Sequence, residues 1–259
     1  MNLQDNNRFD DFFAENKYVL LKNYLYNYLL RKRAIENSFQ NEKWELILEI
    51  GSGISPVMTR TDKIIYTDLS FAAVNFMKNN FKRGHCLVAD AMNLPFKTGA
   101  FTHAVCSEVL EHLEDDCKAL REISRVVKPR GKIMLTIPHR KAYFTNDDRY
   151  VKHYRRYETE EIAGQLAAAG FNVHKSEKVL GPLEKITMSL LIFCLSAFKG
   201  RKNSRENSYK GAAKKYMVAI FKWLNFTYMG LAWLDARLMP DSLSAVKLII
   251  AQKAENCNE

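Results

Sequence analysis

Short apolar runs, each stopped by a glycine or a polar residue, alternate with helical patterns through the middle of the chain. No other feature limits the fold as much. Leu46–Ile50 stops at Gly51, Lys63–Thr67 at Asp68, Cys86–Ala89 at Asp90, Thr102–Cys106 at Ser107-Glu108, and Lys132–Ile137 at Pro138. Helical spacing lies between these runs, clearest in Ala119–Val127. Strand, helix and strand repeated in this way predict right-handed βαβ units and a doubly wound α/β sheet. In such sheets a ligand sits beyond the carboxyl ends of the strands. Each predicted strand places a glycine or a polar residue, or in one case Pro138, at that edge.

Outside the middle the pattern changes. Leu21, Tyr24, Leu25, Tyr28 and Leu29 follow the spacing of an amphipathic helix that ends in Arg31-Lys32-Arg33. After Gly170 two further strands are predicted, Asn172–Leu180 and Ala245–Gln252. The stretch between them is far longer than a hairpin loop of about 2–5 residues. It holds two apolar helical patterns, Leu183–Phe198 and Tyr216–Met239, joined by the basic segment Lys199–Lys215. The expectation is one domain over residues 1–259: a helical cap (1–40), a core (41–180), a helical insert (181–244), and a last strand with its tail (245–259).

At 47% hydrophobic and 26% charged residues, the 259-residue chain is globular rather than disordered. Its net charge of +10 invites an anionic partner without naming one. Five scattered cysteines with no C-x-x-C pair make a poor disulfide or zinc framework, which points to a reducing, cytoplasmic setting. Met1–Asp11 lacks the basic head and apolar run of a signal peptide. The longest nearly apolar run, Ile186–Phe198, falls short of the ~20 residues that cross a bilayer.

The segment Leu48-Glu49-Ile50-Gly51-Ser52-Gly53-Ile54-Ser55-Pro56 follows the first strand. Its glycines let backbone approach a ligand closely, and its N–H groups can hold an anionic one. Pro56 stands where the G-x-G-x-x-G dinucleotide fingerprint needs glycine. Asp68 and Asp90 end the next two strands, where carboxylates accept hydrogen bonds from a nucleoside. Either acid alone would more often be a turn or cap residue.

These segments, with Tyr66-Thr67-Asp68-Leu69-Ser70, Ala89–Phe96, Ser107–Leu113 and Val127-Lys128-Pro129-Arg130-Gly131, resemble successive motifs of the class I S-adenosylmethionine-dependent methyltransferases. The similarity runs over about residues 40–180. It leans toward the small-molecule branch that includes ubiquinone and menaquinone biosynthesis and lipid- or glycan-linked relatives. It implies a Rossmann-like seven-stranded sheet of order 3-2-1-4-5-7-6 and S-adenosyl-L-methionine as cofactor. Glu49, Gly51, Ser52 and Gly53 would frame its methionine part, and Asp68 with Leu69 would take the ribose. Asp90, Ala91 and Met92 would flank the adenine, and Ser107 and Glu108 would pass beneath the sulfonium. Ser55-Pro56 departs from the family pattern, so the following helix is expected to start late.

His139, after the fifth strand, is the candidate general base, with a plain hydrogen-bonding role as the alternative. Arg155 and Arg156 are candidates for binding a phosphate or carboxylate of the acceptor, or for structural ion pairs. Glu108, Glu111 and His112 are close enough in sequence to suggest a metal, but none is expected. The insert reads either as a lid or as an interfacial element whose linker Lys199–Lys215 meets an anionic membrane surface. Both readings favour an amphiphilic small-molecule acceptor. RNA methylation and a non-catalytic cofactor-binding scaffold are the alternatives. Cys106-Ser107-Glu108-Val109 lacks an (Asp/Asn)-Pro-Pro-aromatic signature and no RNA-binding module is appended, which argues against nucleic acid.

Overall fold

A computed structural model describes residues 21–40, 42–81, 84–199 and 211–255. Seven strands form one mixed sheet: β1 (Ile47–Ile50), β2 (Ile64–Asp68), β3 (His85–Val88), β4 (Phe101–Ser107), β5 (Val127–Pro138), β6 (Phe171–Leu180) and β7 (Val246–Lys253). Their order is β3-β2-β1-β4-β5-β7-β6, as the resemblance implied. β3 to β5 run parallel, and β7 lies antiparallel between β5 and β6. All four residues of β1 are buried, as a central strand covered on both faces requires.

One face carries α3 (Asp116–Val126) and α5 (Thr159–Ala168). Asp115 caps α3 by accepting the Lys118 N–H at 2.8 Å. From the same helix Ala119, Leu120, Ile123 and Val126 enter a core shared with Leu48, Ile133, Leu135 and Phe171. The opposite core is built from α1 (Tyr26–Ser38), the loop after β1, and the long helix α7 (Gly211–Leu238). Remaining helices are α2 (Phe71–Asn80), the single turn α4 (Asn146–Tyr150) and α6 (Pro182–Lys199). Thus α6 and α7 are the two helices expected between β6 and β7. Of the joining segment Lys199–Lys215, residues 200–210 lie outside the described residues.

Two expectations are corrected. β5 begins at Val127, five residues before the predicted Lys132, because Val127 pairs with Phe101 before the register shifts. More consequential, residues 51–63 form no helix at all, where a late-starting one was expected. The loop is instead held by a carboxylate: Val57 N–H donates to Glu49 Oε1 at 2.7 Å and Met58 N–H to Oε2 at 3.0 Å. α1 fills the space a crossover helix would occupy. Tyr28, Leu30, Ile35 and Phe39 pack with Val57, Met58, Ile47 and Ile64. Tyr28 OH donates to Pro56 O at 2.8 Å, and Glu36 accepts from Thr59 N at 3.2 Å and Arg60 Nε at 3.0 Å.

Candidate active site

A cavity of about 340 Å³ opens at the carboxyl edge of β1, β2 and β4, between the sheet, α1, α4 and α6. Gly51 and Gly53 form its floor, both in the left-handed region, with φ of 66° and 55°. A Cβ at Gly51 would stand 2.4 Å from Val109 Cγ2, so only glycine fits this turn. Ser52 N–H donates to Thr67 O at 3.0 Å, which ties the loop to β2.

Asp68 holds that loop from the next strand. Its Oδ2 accepts the Gly53 N–H at 2.8 Å and its Oδ1 accepts the Ser70 N–H at 2.9 Å. Asp90 organises the turn after β3 by accepting the Met92 N–H at 2.8 Å. Glu49, Gly51, Ser52, Gly53, Asp68, Leu69, Asp90, Ala91, Ser107 and Glu108 all line the cavity. Met92 does not; it packs against the core beneath Asp90. Burial pushes the Glu49 carboxyl up to about 7, against the lowering effect of its two N–H donors.

The roof was not legible as a site. Lys22, Asn27, Tyr28 and Arg31 line the cavity from the α1 region, and Glu184 and Met188 from α6. Burial pulls Lys22 down to about 8; the Arg31 charge adds to this and Asp68 opposes it. Arg31 Nη1 pairs with Glu108 Oε2 at 3.3 Å. The polar residues on an otherwise apolar helix face were the available signal. Glu108 itself has φ 54°, an uncommon backbone for a side chain larger than glycine, at the end of β4. Its Oε1 is buried without a hydrogen-bond partner.

The candidate base lies away from the cavity. His139 is 2% exposed and does not line the cavity. Its Nδ1 meets Ser244 O at 3.1 Å and its Nε2 meets Thr159 Oγ1 at 3.2 Å, fixing β5 to the start of α5 and the approach to β7. Burial, with Lys247 nearby, lowers its pKa, as befits a neutral structural imidazole. Arg155 also points elsewhere, to Asp116 Oδ1 at 2.9 Å and Glu114 O at 2.8 Å.

Arg156 does reach the cavity wall, but its guanidinium is engaged with Asp148 Oδ1 at 2.7 Å and with the carbonyls of His139 and Ala245. Lys185 Nζ bridges Asp147 and Asp148 at 2.7 and 2.8 Å. Burial alone would raise the Asp148 carboxyl; His153, Arg156 and Lys185 outweigh it and hold it well below the usual range. His112 and His153 also line the cavity.

Residues 48–135 match a family model described as a methyltransferase domain. An uncharacterized protein of Methanocaldococcus jannaschii is 34% identical over 101 residues, 38% of this chain and 43% of that one. A Mycobacterium tuberculosis protein named a probable S-adenosylmethionine-dependent methyltransferase is 26% identical over 123 residues, 47% of this chain and 45% of that one. The chain therefore matches less than half the length of these curated relatives. Among solved structures, phosphoethanolamine N-methyltransferase 2 of Haemonchus contortus, in complex with S-adenosyl-L-methionine, shares the fold. Its TM-score is 0.58 at 18% identity, over 96% of this chain and 60% of that one. The sheet order, the glycine loop and these matches agree. Residues 48–135 thus match a methyltransferase domain, and the named relatives belong to the S-adenosylmethionine-dependent class.

Proposed function

We propose that the chain methylates a small amphiphilic acceptor, lipid-like or glycan-linked, at the expense of S-adenosylmethionine. The observation that carries this reading is one cavity floored by Gly51–Gly53, walled by Asp68 and Asp90, and continuing toward Glu108, His112, His153 and Tyr150. The residues present suit the cofactor: a glycine loop that lets it approach the backbone closely, and acids on β2 and after β3 for its nucleoside. Bound against Gly51–Gly53, Asp68 and Asp90, it would supply an electrophilic methyl group on a sulfonium sulfur that leaves as the neutral thioether. The protein aligns the partners and excludes water, which supports most of the acceleration in a displacement of this kind. Leu25, Tyr28, Val151 and Met188 give the acceptor side an apolar character, and Arg31 and Lys152 add positive charge.

The outer surface supports the amphiphilic part. Along α7, Ile220, Trp223, Leu231, Leu234 and Leu238, at steps of three, eight, three and four residues, fall along one side of the helix and are all exposed, Trp223 at 64%. Ala232 and Ala236 face inward instead. Exposed apolar stripes of this length mark interaction surfaces. No helix among the described residues is long and apolar enough to cross a membrane. We infer that α7 rests on an anionic membrane surface, a contact that the basic sequence of Lys199–Lys215 suits, while α6 roofs the acceptor end of the cavity.

Calorimetry with S-adenosylhomocysteine tests the cofactor site. Asp68→Ala should weaken binding by about 10-fold or more, as loss of a hydrogen bond to a charged group does. Absence of heat with the wild-type chain would defeat the assignment. Methyl-labelled cofactor incubated with cell extract should label the organic-soluble fraction; label confined to RNA would overturn the acceptor class.

A further inference from the structure

We infer that Glu111, His112 and His153 form a binding site for one divalent transition-metal cation in the cavity wall. From Glu108, Glu111 and His112 the sequence leads to no metal; the structure brings in His153 from a distant loop. Glu111 and His112 sit together on the 3₁₀ turn Leu110–His112 that follows β4; His153 follows α4. One donor atom from each of the three lies within 4.8 Å of the others. An ion held ~2.1 Å from each ligand needs donors no more than ~4.2 Å apart, so small side-chain rotations complete the set.

The second observation is the state of Glu111. It is fully buried, and neither carboxylate oxygen has a hydrogen-bond partner. A buried carboxylate left this way is costly, and a protonated one would still need an acceptor for its hydroxyl. A cation satisfies both oxygens. The Glu108 carboxylate, three residues earlier, adds negative potential to the same place.

The surroundings of His153 are those of a ligand. Its Nδ1 meets Asp148 Oδ1 at 3.0 Å, while its Nε2 faces Glu111 Oε1 at 3.9 Å. Asp148 is fixed in turn by Arg156 and Lys185. A carboxylate that accepts a hydrogen bond from Nδ1–H leaves the Nε2 lone pair for a metal, the usual outer support of a metal-bound imidazole. Two imidazoles and a carboxylate suit Zn²⁺, Co²⁺, Fe²⁺ or Mn²⁺ better than Ca²⁺. Since His112 and His153 line the cavity, the ion's remaining positions face the space assigned to the acceptor, and they suit an oxygen ligand. Only this last point rests on the methyl-transfer reading; the ion site itself does not.

The full chain, stripped with chelator and titrated with Co²⁺, tests the site by visible absorption. One Co²⁺ per chain is expected, with bands of nitrogen and oxygen ligation, displaced by Zn²⁺. His153→Ala and Glu111→Gln should each weaken binding by at least about 10-fold, and Asp148→Asn by about 10–100-fold. Glu111→Gln keeps the shape and removes a buried charge, so it folds even if the others do not. Co²⁺ should raise the thermal midpoint of the wild type and leave that of Glu111→Gln unmoved. No Co²⁺ uptake, thiolate charge-transfer bands from cysteine, or equal affinity in Glu111→Gln would overturn the site. Because no cofactor is present in these titrations, a failed methyl-transfer assignment would leave their outcome unchanged.

Discussion

Gly51→Ala puts the architecture of the cofactor loop to a quantitative test. At φ 66° a non-glycine residue pays for the left-handed backbone, about 1–2 kcal/mol. The new Cβ would also meet Val109 Cγ2 at 2.4 Å and Cγ1 at 3.2 Å, an overlap that something must relieve. Val109 is branched at Cβ and packs against the core, so its methyls have little freedom to swing away. Overpacking of this kind costs about 1–3 kcal/mol. The two effects together predict a loss of about 2–5 kcal/mol in urea unfolding. A double-mutant cycle separates them, since Gly51→Ala with Val109→Ala keeps the backbone strain and removes the clash. The pair should show a favourable coupling of about 1–3 kcal/mol, the clash alone. A single variant within about 0.5 kcal/mol of wild type, or a coupling near zero, would refute the geometric reasoning.

Three other outcomes follow from the same structure. Liposome sedimentation should show binding that needs anionic lipid and fades with salt, and Trp223→Ser with Leu231→Ser should weaken it; wild type left in the supernatant at low salt would remove the membrane reading. Glu36→Ala should destabilise by about 1.5–3 kcal/mol, since one buried carboxylate serves Lys32, Thr59 and Arg60; an unchanged thermal midpoint would show that α1 is not pinned there. Glu49, raised to about 7 when folded against an ordinary value near 4.3, binds its proton more tightly in the native state. Its contribution to stability is therefore full below that ordinary value and is lost as pH rises toward 7. Urea midpoints should fall from about pH 5 to about pH 7.5, less steeply in Glu49→Gln; parallel curves would contradict the assignment.

Much of the fold was written locally. Strand ends at Gly51, Asp68, Asp90 and Ser107 were legible because each apolar run stops at a residue that cannot continue a buried strand. The same residues proved to line the cavity, since sheet topology brings successive carboxyl ends to one edge. What escaped were relations between distant segments. Residues 51–63 were assigned a helix by the rhythm of βαβ units, but Pro56 and the Glu49 carboxylate favour an irregular loop. His139 lies at the right strand end, yet its ring is turned to Ser244 and Thr159, and no spacing rule states which way a side chain turns. The approach of His153 to Glu111 and His112 depends on the Asp148 network, which joins α4 to α6.

The helix that stands in for the missing crossover has a kinetic consequence. A hinged lid over a bound nucleoside would open on loop glycines and cost only local contacts. Here the cover is α1, and its Tyr28, Leu30, Ile35 and Phe39 are also part of the sheet's packing. To lift it would break Tyr28 OH to Pro56 O and the Glu36 contacts with Thr59 and Arg60, and would wet one face of β1. Exchange of a nucleoside held there would thus be tied to sub-global opening rather than to a flap's swing. Substitutions that loosen α1 against residues 56–60 would ease that exchange while lowering stability.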